Sequence, residues 1–207
     1  MISYTLASAE GNIPFTGNQG RVTDSGNPNL DWGATADDRR HVLVASGSYM
    51  LPAGVQLGAV WTIRSTMPFN AVAGADLNGD GVVSDFVSGT TRAMGNRDNT
   101  AMMAAVNVYR ATLGLAPLAE SQVDSNGYNA IDLRVNKSFA LGGHRRIELI
   151  AQVFNVLGRD NLAASGGAGG QAGVPPGWVL NVRSDSFGRI NQAYNRQQAE
   201  LAVRVGW

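Results

Sequence analysis

The chain has 207 residues, enough for one domain or two, and balances 16 basic against 16 acidic residues. A formal charge of zero excludes a bulk electrostatic pull toward nucleic acid or anionic lipid, and the absence of cysteine excludes disulfides and thiolate metal centres. Charged residues are only 15% of the chain, against about 25% in soluble domains, and 26 glycines point either to disorder or to strands joined by turn-rich loops.

No run of about 18 apolar residues occurs, so no transmembrane helix is expected. Met1-Ile2-Ser3-Tyr4 has neither the basic start nor the apolar stretch of a signal peptide. A secreted barrel needs such a segment, so either the chain is not one or Met1 is not its natural start.

Six segments alternate with the period of a strand. Residues 2–8 set Ile2, Tyr4 and Leu6 against Ser3 and Thr5. Residues 40–51 hold Val42, Leu43, Val44, Tyr49 and Leu51, and their facing is ambiguous. Residues 55–64 place Val55, Leu57, Ala59, Trp61 and Ile63 on one side. Residues 130–141 set Ile131, Leu133, Val135 and Phe139 against Asp132, Arg134, Asn136 and Ser138. Residues 146–156 set Ile147, Leu149, Ala151 and Val153 against Glu148 and Gln152. The last strand sets Leu201, Val203, Val205 and Trp207 against Glu200, Ala202, Arg204 and Gly206. Several segments reach about ten residues, the length a tilted strand needs to cross a bilayer.

The connections alternate strictly between short and long. Pro52-Ala53-Gly54 and Gly142-Gly143-His144-Arg145 are tight turns, whereas 9–39, 65–129 and 157–197 are long. That alternation fits an up-and-down membrane barrel, with short periplasmic turns and long external loops. Within the middle loop, Asn99-Thr100 is expected to cap a helix reaching Leu113, with Gly114 as its stop. Met102, Met103, Val106, Tyr109 and Leu113 line one side, so the helix is expected to pack over the barrel mouth or against another loop. A core helix in an α+β domain is the alternative.

Trp61, Tyr4, Tyr49, Phe139 and Trp207 are candidates for aromatic girdles at the two bilayer interfaces. In a soluble sandwich they would be core. The polar row Asp132, Arg134, Asn136, Glu148, Gln152 and Arg204 would line a lumen or meet a plug, or simply be solvated.

The best site candidate is the segment from Asp76 to Asp85. Asp76, Asn78 and Asp80 with Gly81 match the first half of an EF-hand calcium loop, with the Val82 carbonyl at position 7 and Ser84 at position 9. Val87 stands where the bidentate glutamate belongs, so Asp85 would have to substitute and affinity would be weak. A string of Asn-Gly and Asp-Gly turns that needs no ion is the competing account. Beyond Ca²⁺ no cofactor is implied. His41 and His144 sit beside arginines at strand ends, where solvation explains them, and no nucleophile–base pair is suggested, so an enzyme is not expected. Gly166, Gly167, Gly169 and Gly170 do not join a strand to a helix, which argues against a phosphate cradle.

An ordered set of motifs then carries a resemblance: Asp37-Asp38-Arg39-Arg40-His41, Pro52-Ala53-Gly54-Val55, Arg64-Ser65-Thr66-Met67-Pro68-Phe69-Asn70 and the segment opening at Asp76. Asp132-Leu133-Arg134-Val135-Asn136-Lys137-Ser138-Phe139, Phe154-Asn155-Val156-Leu157-Gly158-Arg159 and the terminal aromatic strand follow. In this order the chain resembles the C-terminal part of a TonB-dependent outer-membrane receptor of the Oar-like kind. The resemblance implies an all-β, antiparallel up-and-down transmembrane barrel segment of about six strands in the bacterial outer membrane, with long extracellular loops and a short loop helix. Residues 1–207 would be the end of a larger barrel, without its plug and earlier strands. Implied partners are outer-membrane lipid, those upstream strands and plug, the TonB complex through the upstream region, and the barrel-assembly machinery through the terminal strand. The function implied is uptake of an unknown ligand. The rival reading is a soluble secreted β-rich binding or adhesion module with a calcium-stabilised loop.

Overall fold

The six alternating segments form one antiparallel sheet of β1 (Ile2–Leu6), β4 (His41–Leu51), β5 (Val55–Arg64), β6 (Tyr128–Gly142), β7 (Arg145–Phe154) and β8 (Gln198–Gly206), neighbours in that order. The computed structural model describes residues 1–12, 23–24, 26–35, 38–162, 177–194 and 196–207. Gly166, Gly167, Gly169, Gly170 and Asp37 lie outside the described residues. A ribbon of β2 (Glu10–Gly11) and β3 (Gly33–Ala34) forms in the first long loop, and one α-helix, α1 (Asn99–Thr112), in the second. No helix among the described residues is long and apolar enough to cross a membrane.

Register decides the faces, because directly paired residues point to the same side of a sheet. Tyr49 pairs with Leu57, Leu57 with Val135, Val135 with Ala151 and Ala151 with Leu201. One rung nearer the turns, Leu51, Val55, Lys137, Leu149 and Val203 line up in the same way. One face is thus apolar across β4 to β8, with Lys137 as its lysine, and the pairing of Tyr4 with Leu43 and Ile2 with Ala45 brings β1 onto it. The Lys137 ammonium lies 5.0 Å from the Phe139 ring centroid, close to the turn end. A lysine there can keep its stem in an apolar layer and its charge at the rim. The facing of β4 is also settled: Leu43, Ala45, Tyr49 and Leu51 join the apolar face, and Val42 and Val44 the other. The opposite face carries Ser48, Gly58, Arg134, Gln152 and Glu200 on one rung.

The short turns fold as their residues dictate. Gly142 and Gly143 both take left-handed φ, of 93° and 60°, which a residue with a Cβ adopts only at a cost. At the other end β7 stops at Phe154 rather than at Val156, because Asn155 turns left-handed at φ 50°.

The sheet is not the core. Of the buried apolar residues among those described, only Ala130 lies on it. The hydrophobic core sits in a lobe built from the second and third long loops: Met67, Phe69, Val87, Met102, Met103 and Val106 meet Trp178, Leu180, Val182, Phe187 and Ile190. Phe69 stacks on Trp178 with centroids 4.2 Å apart and meets Phe187 at 6.1 Å. Because β4, β6 and β8 run away from the long loops and β1, β5 and β7 toward them, this lobe caps one end of the sheet. Among the described residues the only sheets are this one and the two-stranded β2–β3 ribbon.

Two helix expectations need correction. Asp98, not Asn99 or Thr100, caps α1: its side chain accepts from the Ala101 amide at 3.0 Å, and its backbone has the extended φ of a cap. Thr100 instead donates to Glu120. The buried stripe is Met102, Met103, Val106 and Arg110, while Leu113 is exposed at the C-cap. Gly114 does stop the helix, at φ 69°.

Candidate functional site

Two surfaces present chemistry: the polar face of the sheet and the lobe above it. The expected polar row is real. By register Asp132, Arg134, Asn136, Glu148, Gln152 and Arg204 share one face. Its members bond to one another: Arg204 Nη1 donates to Glu148 at 3.3 Å, Gln152 Nε2 to Glu200 at 2.5 Å and Arg134 Nε to Asn136 at 2.9 Å. The carboxylates and amides therefore form a continuous, wettable wall rather than a focused reactive cluster.

At the loop end of the apolar face, aromatic residues take polar partners. Tyr4 Oη lies 2.8 Å from His41 Nδ1, and Trp61 Nε1 donates to Asn129 Oδ1 at 2.9 Å. Tyr49, Phe139 and Trp207 lie toward the turn end. The five candidate girdle residues thus divide between the two ends of the strands. His41 is part of this belt rather than merely solvated, while His144 is exposed in its turn.

The lobe is joined by buried polar contacts. Arg110, fully buried, reaches from α1 into the third loop: Nη1 donates to the carbonyls of Val182 at 2.7 Å and Ser184 at 3.2 Å, and Nη2 to Asp185 at 2.6 Å. Its Nε donates to the Ala116 carbonyl at 2.8 Å. Val72 and Val182 exchange backbone bonds with the facing strandlike segments, Val72 N to Leu180 O at 3.0 Å and Val182 N to Val72 O at 2.9 Å. Arg92 ties the second loop to the first through the carbonyls of Ala34 and Asp31. Burial lowers the pKa of Arg92, and the Asp31 charge opposes that shift. Asp38 pairs with Arg97 and accepts from the Ala9 amide.

Several of the quoted motifs prove to be joints. Asp132 accepts from the Asn155 amide at 2.8 Å, so two of the motifs touch. Asn70 accepts from the Ala93 amide at 2.7 Å, next to the core residue Phe69.

The acidic loop folds around its own side chains. Asp76 accepts from the amides of Gly79 at 2.6 Å and Gly81 at 2.8 Å. Asn78 accepts from Asp80 N at 3.0 Å, and Asp80 from Val82 N at 2.9 Å. The Gly81 amide, above all, holds the Asp76 carboxyl below its usual pKa; desolvation opposes it, and the Gly79 amide adds to the lowering. Asp85 is buried and closes the loop, its Oδ2 accepting from Leu77 N at 2.5 Å and Asn78 N at 3.2 Å. Val82 and Ser84 are half-buried on the returning limb. No three acidic or histidine side chains among the described residues converge tightly enough to hold an ion by themselves.

Sequence reasoning missed Arg110, Arg92 and Asp38 as joints. Apart from Ala116, six positions from Arg110, the partners named above lie 29 to 75 positions away, and an arginine at one position carries no local mark of burial.

Against known proteins, a family model described as an outer membrane beta barrel domain matches residues 1–204. No curated protein and no solved structure matches.

Proposed function

The chain belongs to the outer membrane beta barrel domain family and lies in the bacterial outer membrane, and from that premise we propose that it forms the C-terminal barrel portion of a TonB-dependent receptor. The apolar face meets lipid, the polar face turns inward, and the lobe stands outside the cell as the first surface a ligand meets. Its role is transport rather than catalysis. The observation that carries this reading is the open sheet. Among the described residues β1 and β8 each pair on one side only. A free edge in hydrocarbon leaves backbone groups unpaired at several kcal/mol each, on the order of tens of kcal/mol for two edges. That cost supports a wall completed by further strands, as the remainder of a large barrel would supply. The ordered motifs, from Asp38-Arg39-Arg40 to the terminal aromatic, support the TonB-dependent kind in particular. Upstream strands and a plug, TonB and the assembly machinery are the partners this assigns.

Reading the coding DNA upstream of Met1 tests it. The expected result is an in-frame continuation encoding a signal peptide, a plug and more amphipathic strands. A start site at Met1 with no coding sequence before it would remove transport as a function of this chain.

A further inference from the structure

We propose that the loop from Asp76 to Asp85 is a calcium site on the outer lobe, with Asp76, Asn78, Asp80, the Val82 carbonyl and Asp85 supplying its oxygens. The donors are all hard oxygens, which suit Ca²⁺ or Mg²⁺ and not a softer metal. They alternate at positions 1, 3 and 5 of the loop, and Gly81 at position 6 takes the φ of 84° that the sharp turn requires. The internal hydrogen bonds of Asp76 and Asn78 use one lone pair of each accepting oxygen and leave another for a cation.

A chain of polar turns accounts for those bonds without an ion. It does not account for Asp85. That residue is only 4% exposed. Its Oδ2 is held against the first limb of the loop by the Leu77 and Asn78 amides, while its Oδ1 is buried with no hydrogen-bond partner. A buried carboxylate oxygen without a donor is costly. A cation bound between Asp85 and the first limb removes that cost and supplies the acidic ligand that Val87, packed in the lobe core, cannot give.

The ion would act on the lobe as well as the loop. Asp85 O accepts from Ala73 N at 2.8 Å, and Val87 N donates to Ala71 O at 3.1 Å, so the returning limb pairs with a strandlike segment of the core. Asn78 Nδ2 donates to Thr23 O at 3.2 Å, which reaches the first loop. Calcium would fix both contacts at once. Since the acidic groups are not drawn tightly together and no bidentate glutamate is present, the expected Kd is about 10⁻⁴–10⁻³ M, suited to an extracellular site. The flexible, carbonyl-containing set favours Ca²⁺ over Mg²⁺, which demands a near-ideal octahedron.

The test uses the protein purified from outer membranes in detergent and stripped of lipopolysaccharide, titrated calorimetrically with CaCl₂ and separately with MgCl₂. The expected result is one Ca²⁺ per chain in that affinity range, with at least about tenfold weaker binding in Asp76→Asn and in Asp85→Asn, and protection of the Ala73 amide that rises with Ca²⁺. Asp76 is exposed, so its variant reads binding even if Asp85→Asn disturbs the lobe. No binding at about 10 mM, an equal response to Mg²⁺, or unchanged affinity in Asp76→Asn would overturn the proposal.

Discussion

Replacing Arg110 by methionine should loosen the lobe and leave the barrel wall intact. Methionine keeps most of the apolar stem, so the change removes charge and donors more than volume. Four acceptors lose a guanidinium bond: the carbonyls of Ala116, Val182 and Ser184 and the Asp185 carboxylate. They do not count equally. Asp185 is 88% exposed and Ala116 is exposed, so water replaces the guanidinium there and little is lost. Val182 is fully buried, and its orphaned carbonyl costs about 1–3 kcal/mol. The half-buried Ser184 carbonyl keeps the Phe187 amide as a donor at 3.1 Å and adds little. The total of about 1–3 kcal/mol corresponds to a rise of roughly 5- to 150-fold in local opening. Hydrogen exchange in detergent reads it directly. The amides of Val72 and Val182, which bridge the two loops, should exchange faster by that factor, and those of β6 and β7 should not change. Unchanged protection at Val182, or equal acceleration in β6, would refute the idea that Arg110 joins the loops and that the lobe opens separately from the sheet.

Three other outcomes follow from the same geometry. Val135→Arg puts a charge in the middle of the apolar face and should cost about 2–4 kcal/mol of folding in lipid vesicles, measured by urea titration, whereas Asn136→Arg one residue away should cost little. A Cβ on Gly95 would lie 2.4 Å from the Phe69 ring, which is stacked on Trp178 and cannot yield, so Gly95→Ala should destabilise the lobe by about 1–3 kcal/mol and weaken its near-ultraviolet aromatic signal. The Asp76 pKa is depressed in the fold, chiefly by the Gly81 amide, so the stabilisation is present above the unfolded value of about 3.9 and is lost as pH falls through the lower folded value. The Gly81 amide resonance should stay constant at neutral and mildly acid pH and move only below the ordinary carboxylate range.

Much of the wall was legible in the sequence because a strand at a lipid boundary writes its environment in every second residue. All six expected strands begin within two residues of their observed starts. The failure at β4 has a physical cause: Val42, Leu43 and Val44 are all apolar, so alternation vanishes until pairing with β5 fixes the register. The lobe was hardly legible. Its α1 stripe of Met102, Met103 and Val106 had a period to read, but the rest of the core joins residues as far apart as Met67 and Ile190 from irregular loop segments. The two-residue strands β2 and β3 are too short to alternate at all. The acidic loop lay between these cases. Its spacing was visible, but the burial of Asp85 and the orphaned oxygen it carries depend on how the returning limb packs.

The most direct test of the account is a nitroxide scan along β6 in lipid vesicles, reading collisions with oxygen, which dissolves in the bilayer, against a water-soluble nickel chelate. The two-faced wall predicts strict alternation: Ile131, Leu133 and Val135 accessible to oxygen, and Asp132, Arg134 and Asn136 accessible to nickel. A reversed phase would put the polar row toward lipid, and no alternation would mean that this sheet is not a membrane wall; either result contradicts the account.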